Sequence, residues 1–236
     1  MKQAGRGCSR DAVWSRPARV LRPTAMSATI ARTSTSRLVI LVIALSVVAH
    51  PHPASLSHAM AGAANSVLAE QGYEVAFHDL YAENFQPVQP TGELENVASQ
   101  DPLVEQHCEE LAGADLVLVF HPNWWGQPPA ILKGWIDRVF RLNTAYGYPP
   151  GVPPEGVPAG LLKARHALVF NTSNTPAQRE QEVFGDPLEV LWKRCVFQLC
   201  GVESVVRRMY GPVSGSTAQQ RQGWIDEVRA TVLGAA

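Results

Sequence analysis

Four cysteines in 236 residues, with no CxxC pair and no metal-type spacing to histidine, exclude a disulfide scaffold and a zinc-ribbon domain. No apolar run reaches the ~20 residues that a membrane-spanning helix needs. The most conspicuous one, Leu38 to Ala49, is interrupted only by Ser46. No Gly-x-Gly-x-x-Gly comes after it, which argues against a six-stranded dinucleotide fold. Positive charge is also scarce over most of the chain. Residues 1–37 carry eight Lys/Arg and one acid, so the remaining 12 basic and 20 acidic residues sum to −8. A domain that acidic is a poor partner for nucleic acid.

Apolar residues are plentiful, at 46%, enough for a sizeable core. Cys108 and Cys195 fall in helical patterns and Cys200 near the end of one. We expect reduced, buried thiols in a cytoplasmic protein. The chain divides into a disordered basic extension over 1–37 and a folded domain over 38–236. The Leu38–Ala49 run after a basic lead also has the outline of a secretory signal. The residues beyond Ala49 favour a strand instead. His50 to Ser57 is a polar loop, a helical pattern starts near His58, and cleavage after Ala49 would delete the first strand of the domain.

Past this loop, strands and helices alternate. Helices are expected at about 57–71, 102–112, 128–142, 187–200 and 217–233. Strands are expected at Tyr73–Phe77, Leu116–Phe120, His166–Phe170 and Ser204–Met209. The Gly/Pro-rich stretch 146–160 and residues 171–186 are expected to be loops. On the helix pattern over 128–142, Lys133, Asp137, Arg138 and Arg141 are expected to form a solvated face. Ile131, Trp135 and Val139 share the helical spacing of core or dimer-surface positions. This alternation implies an α/β fold with a five-stranded parallel sheet covered by helices on both faces. Five strands suit the flavodoxin-like order 2-1-3-4-5, whose ligands bind where strand order reverses.

In that order the loops after strands one, three and four meet at one edge. Residues 50–57 end at a helix amino terminus, where free amides and the helix dipole favour an anion. Ser55 and Ser57 add hydroxyls there, and His50 adds a ring donor. Their alternative role is helix capping. Histidines 50, 52 and 58 lack neighbouring carboxylates or thiols in sequence, so no metal is expected. The second loop presents Trp124 and Trp125, of which at least one should line a surface or pocket, because adjacent indoles cannot both face a core. The third, Asn171-Thr172-Ser173-Asn174-Thr175-Pro176, offers small hydrogen-bonding groups directly after a strand.

The stretches Ala49-His50-Pro51, Ser55 to Met60, Asp79-Leu80-Tyr81 and, above all, Pro122-Asn123-Trp124-Trp125-Gly126-Gln127-Pro128-Pro129 through Gly134-Trp135-Ile136-Asp137-Arg138-Val139-Phe140 carry a family resemblance. Over about 40–212 the chain resembles the flavodoxin-like NAD(P)H:quinone oxidoreductases. These include DT-diaphorase, modulator of drug activity B and the ancillary oxidoreductases of potassium-efflux systems. The resemblance implies a homodimer with FAD or FMN at each site. It also implies hydride transfer from NAD(P)H through the flavin to a quinone-type acceptor. His50, Ser55, Leu56 and Ser57 match its phosphate contacts, and Pro122, Asn123, Trp124 and Trp125 its ring contacts.

Asn171, Thr172, Ser173 and Asn174 stand where the family usually has a Thr-Thr-Gly-Gly type of sequence. The family's Tyr and His that assist hydride transfer have no counterpart between Asn171 and Trp192. Phe184-Gly185-Asp186 stands near the expected His. No catalytic residue is therefore assigned. That departure motivates a second expectation, a weakly catalytic redox-sensing subunit associated peripherally with a membrane transporter.

Overall fold

Runs of Val, Ile, Leu and Phe too short for helices are stable only when both faces are covered, and here they become one parallel sheet. The computed structural model describes residues 41–95, 98–153 and 155–236. Its strands are β1 (Val42–Val48), β2 (Tyr73–Asp79), β3 (Leu116–Pro122), β4 (Tyr146–Gly147), β5 (Ala159–Gly160), β6 (His166–Thr172) and β7 (Ser204–Tyr210). Five of them pair in parallel in the order β2-β1-β3-β6-β7. Counting those five alone, this is the expected 2-1-3-4-5. The strand reading of the Leu38–Ala49 run holds for Val42–Val48. The expected extension over 1–37 and residues 38–40 lie outside the described residues.

The helices are α1 (Leu56–Glu70), α2 (Thr91–Glu95), α3 (Pro102–Gly113), α4 (Ala130–Val139), α5 (Ala177–Phe184), α6 (Pro187–Val190) and α7 (Ala218–Leu233). A π-helical stretch, Leu191–Gln198, continues α6. Polar side chains set several starts by accepting otherwise unpaired amides. Ser55 accepts from the His58 amide, Asp101 from that of Leu103, and Thr217 forms a reciprocal capping box with Gln220. Among the described residues no helix is long and apolar enough to cross a membrane.

Alternation along the strands divides the core in two. Leu45, Val47, Val117, Val119, Ala167 and Val169 point toward α3, α4 and the π-helical stretch, where Trp135 and Trp192 are fully buried. Ala44, Val48, Leu118, Phe120, Leu168 and Phe170 point toward α1 and α7.

Several expectations need correction. The 171–186 segment is not all loop, because α5 lies within it. The expected helix over 128–142 is shorter, starting after Pro128 and Pro129, with Pro129 as the cap residue. β4 and β5 form a small antiparallel pair at the two ends of the 146–160 loop. Cys195 is exposed, whereas Cys108 and Cys200 are buried. Arg138 does not belong to a solvated face, being 3% exposed. Its guanidinium donates to both oxygens of Glu93 at 3.0 and 2.5 Å and to the Gln86 carbonyl at 2.5 Å, and it lies over the Phe85 ring. This fork-to-fork pairing explains how a full charge is tolerated under the α2 segment.

Gly134 in α4 is required by a close approach. A Cβ there would sit 2.2 Å from the Pro87 carbonyl oxygen and 2.4 Å from its Cα, both backbone atoms that cannot rotate away. The loop over 79–90 therefore packs directly on the helix. Replacing Gly134 with Ala should destabilise the protein by about 2 kcal/mol or more through overpacking. In a domain of this size a thermal melt should show a fall of roughly 4–8 °C. An unchanged melting temperature would refute the close packing.

Candidate active site

Parallel pairing brings the carboxyl ends of β1, β3 and β6 side by side, and backbone bonds tie the loops that leave them together. The Ala49 amide donates to the Phe120 carbonyl at 2.9 Å, the Asn123 amide to Thr172 at 2.6 Å and the Ser173 amide to Tyr210 at 2.9 Å. Between the loops lies a cleft of about 610 Å³, within the range of cofactor sites. Of the twelve residues singled out from sequence, His50, Ser55, Leu56, Ser57, Pro122, Asn123, Trp124, Thr172, Ser173 and Asn174 line it.

Two do not. The Asn171 side chain is fully buried, and its Oδ1 accepts from Arg207 Nε at 3.0 Å, because the pleat turns it away from Thr172. Arg207 in turn pairs with Asp186 and Glu189. Trp125 points out of the cleft, fully exposed. It occupies a two-residue hairpin turn closed by reciprocal Trp124–Gln127 amide bonds of 3.0 Å, with φ 58° at Trp125 and 70° at Gly126. Those signs of φ belong to a type I′ turn, where an indole side chain in the left-handed region costs on the order of 1 kcal/mol.

At the α1 end, the Leu56 and Ser57 amides have no acceptor among the described residues, as first-turn amides do not. The Ser57 hydroxyl is buried and likewise has no hydrogen-bond partner among them. Ser55 does cap α1, as the alternative reading had it, yet its hydroxyl also faces the cleft and lies 2.8 Å from His58 Nδ1. His58 Nε2 is 2.9 Å from Asp79 Oδ2, so the β2 carboxylate steadies the ring that steadies Ser55. His50 Nδ1 accepts the His52 amide at 3.0 Å, which leaves Nε2–H as a donor in the neutral ring. Burial, and secondly the neighbouring His58, lower its pKa, so that neutral form prevails at pH 7. Unpaired donors at a helix amino terminus form an anion site of the phosphate type.

At the other end, the Trp124 ring lies 6.3 Å from His50, and the Asn123 Oδ1 is a buried acceptor without a partner among the described residues. Asn174 Oδ1 accepts from the Ser214 amide at 2.8 Å. Val213 and Ser214, from the loop after β7, are a fourth wall that sequence reasoning missed. The only signal for those two was the edge position of the final strand, next to β6. His52, Ala54 and Thr175 also line the cleft, within two of the loops expected to meet there, although they were not singled out from sequence. Behind the cleft, His121 is completely buried. Its Nε2 accepts from the Trp192 indole at 2.9 Å and its Nδ1 donates to the Pro122 carbonyl at 2.9 Å. Burial pulls its pKa down to about 4.

A second polar cluster, which no sequence pattern suggested, joins His78, Glu83, His107 and Glu110 beneath the 79–90 loop. His78 contacts both carboxylates, Glu83 at 2.7 Å, and His107 Nε2 lies 3.4 Å from Glu83. The ligating atoms of His78, Glu83 and His107 are close enough together for a metal ion. The Trp135 indole nevertheless donates to His107 Nδ1 at 2.8 Å. An indole can only donate, so in the neutral ring the proton sits on Nε2, the atom a metal would need bare. The cluster is instead a chain of imidazoles held between carboxylates.

Both comparisons of sequence and of structure agree with this geometry. The flavodoxin-like fold model matches residues 44–232, so the sheet order and the cleft at its carboxyl edge define a flavodoxin-like protein. The NAD(P)H dehydrogenase [quinone] 1 of Rattus norvegicus is 38% identical over 210 residues, covering 77% of this chain and 74% of the relative. An NAD(P)H oxidoreductase of Haemophilus influenzae is 30% identical over 191 residues, covering 77% and 90%. The crystal structure of Smu.1420 from Streptococcus mutans UA159 superposes with a TM-score of 0.71 at 27% identity, covering 82% of this chain and all of that one. The chain belongs to the flavodoxin-like NAD(P)H:quinone oxidoreductase family.

The polar cluster makes stability depend on pH from both sides. Burial opposes ionisation of Glu83, but His107 and His78 outweigh it and bring its pKa down to about 2. That stabilisation is present above the unfolded value near 4.5 and fades as pH falls toward 2. Burial likewise opposes the charge on His78, yet Glu83 and Glu110 raise its pKa above 6.5. Its contribution is complete below 6.5 and is lost as pH climbs through the raised value. Melting temperature against pH should therefore decline at both ends, and Glu83→Gln should flatten both declines. A variant with the same pH dependence as the parent protein would overturn the assignment.

Proposed function

We propose that the cleft holds FAD or FMN and that the protein is a cytoplasmic, homodimeric NAD(P)H dehydrogenase acting on quinone-type acceptors. The observation that carries this reading is the set of unpaired polar groups in one cleft: the Ser57 hydroxyl and α1 amides at one end, Asn123 Oδ1 and the Trp124 face at the other. A flavin bound there supplies the hydride and two-electron chemistry. The chain's part is to bind and orient. Leu56 and Ser57 amides, the Ser57 hydroxyl and His50 Nε2–H hold phosphate oxygens. Trp124 provides a flat face for a ring, and Asn123 Oδ1 accepts from a ring N–H. The Thr172 hydroxyl, which makes no bond among the described residues, is free to donate at the ring's polar edge.

Support comes also from the relatives, whose names specify quinone dehydrogenases. The purified chain should be yellow, or become so on incubation with FAD or FMN, and should oxidise NADH or NADPH when menadione is added. Cofactor release and mass measurement would distinguish the two flavins. Ser57→Ala should weaken flavin retention by roughly ten- to a hundredfold, since a hydrogen bond to a charged group is worth about 1.5–3 kcal/mol. A chain that rejects both flavins would end this reading.

A further inference from the structure

Next to the cleft lies a second cavity of about 370 Å³. It shares Asn123 and Thr175 with the cleft, and its other walls include Trp125, Phe184, Pro187 and Glu180. Two features set it apart. Trp125 and Phe184 are 102% and 56% exposed, a concentration of aromatic surface at the mouth of a pocket. Glu180, on the inward side of α5, is only 2% exposed, and among the described residues its carboxylate has no hydrogen bond or ion pair, with Oε1 buried and unpartnered. Another strongly buried charge is matched by contrast, since Arg207 is gripped by Asp186 and Glu189.

A carboxyl group withdrawn from water without a partner is unfavourable, and a cationic or hydrogen-donating ligand relieves that cost. Aromatic faces beside it attract the same kind of group through their negative quadrupoles. Trp125 is moreover held in a backbone conformation that suits Asn or Gly better, so local folding does not explain why an indole occupies the turn.

We propose that this cavity is a subsite for flat aromatic cations, with Glu180 facing the positive charge and Trp125 and Phe184 bracketing the ring. It deepens the function proposed above by naming the acceptor class favoured beside the cleft, and to that extent rests on it. Electron acceptors of the quaternised or protonated N-heteroaromatic kind are the ligands it selects. Binding involves no covalent step.

The probes are N-methylquinolinium, a permanent cation, and 1-methylnaphthalene, its neutral isostere. Each is titrated into the full-length purified protein while tryptophan fluorescence is followed, with and without bound flavin. The cation should bind at least tenfold more tightly than the neutral ring. Glu180→Gln should bring that preference close to unity without lowering the melting temperature, because the carboxylate that faces the cation is removed. Trp125→Asn, which fits the turn, should weaken both probes several-fold at unchanged flavin content.

Equal binding of the two probes would overturn the proposal. So would a cation preference that survives in Glu180→Gln, or a melting temperature lowered by that substitution, which would mark Glu180 as a structural group. The two readings fail separately. A colourless protein that still prefers the cation removes only the flavin, and a yellow protein with no preference removes only this subsite.

Discussion

Everything at the functional edge depends on the in-register parallel pairing of β3 with β1 on one side and β6 on the other. Phe120 stands opposite Val48 and Phe170, so the chain leaves all three strands at the same height. Side chains from positions 50 to 57, 122 to 124 and 172 to 174 then share one cleft, although the three segments are far apart in sequence. A slip of one residue in β3 would turn its inward side chains to the opposite face and dismantle both halves of the core. The packing of Val117 and Val119 on one side, and of Leu118 and Phe120 on the other, holds that register.

The edge is fastened rather than merely adjacent. Asn123 donates its amide to Thr172, Ser173 to Tyr210, and Val213 to Ser173. These bonds occupy the backbone groups that face neighbouring loops and leave free those that face the cleft, such as the Leu56 and Ser57 amides. A binding site made this way loses little conformational entropy when a ligand arrives, because the loops are already ordered.

Much of this was legible in the residues. Uniform Val/Ile/Leu/Phe runs announce buried parallel strands, and the order of elements limits the topology to a few choices. The Trp-Trp turn and the serines at the start of α1 were readable because their chemistry is unusual for a core. Other features were hidden for physical reasons. Arg138 looked like its neighbours Lys133 and Asp137, since only the fold brings Glu93, from α2, against it. The α5 segment, Ala177–Phe184, is too polar to show a core-facing stripe, so it resembled a loop. Asn171 and Thr172 are indistinguishable as types, and only the pleat decides which faces the cleft. The His78, Glu83 and His107 cluster unites β2, the loop after it and α3, a meeting that no local pattern announces.

The indole of Trp192 pins His121 in one tautomer at the back wall of the cleft. That wall consequently stays electrically silent across the whole range in which cells operate. A change of acidity between neutrality and pH 5 therefore alters no charge on the His121 ring, and its tautomer persists. The scaffold thereby keeps a shifting charge out of the wall directly behind the ligand.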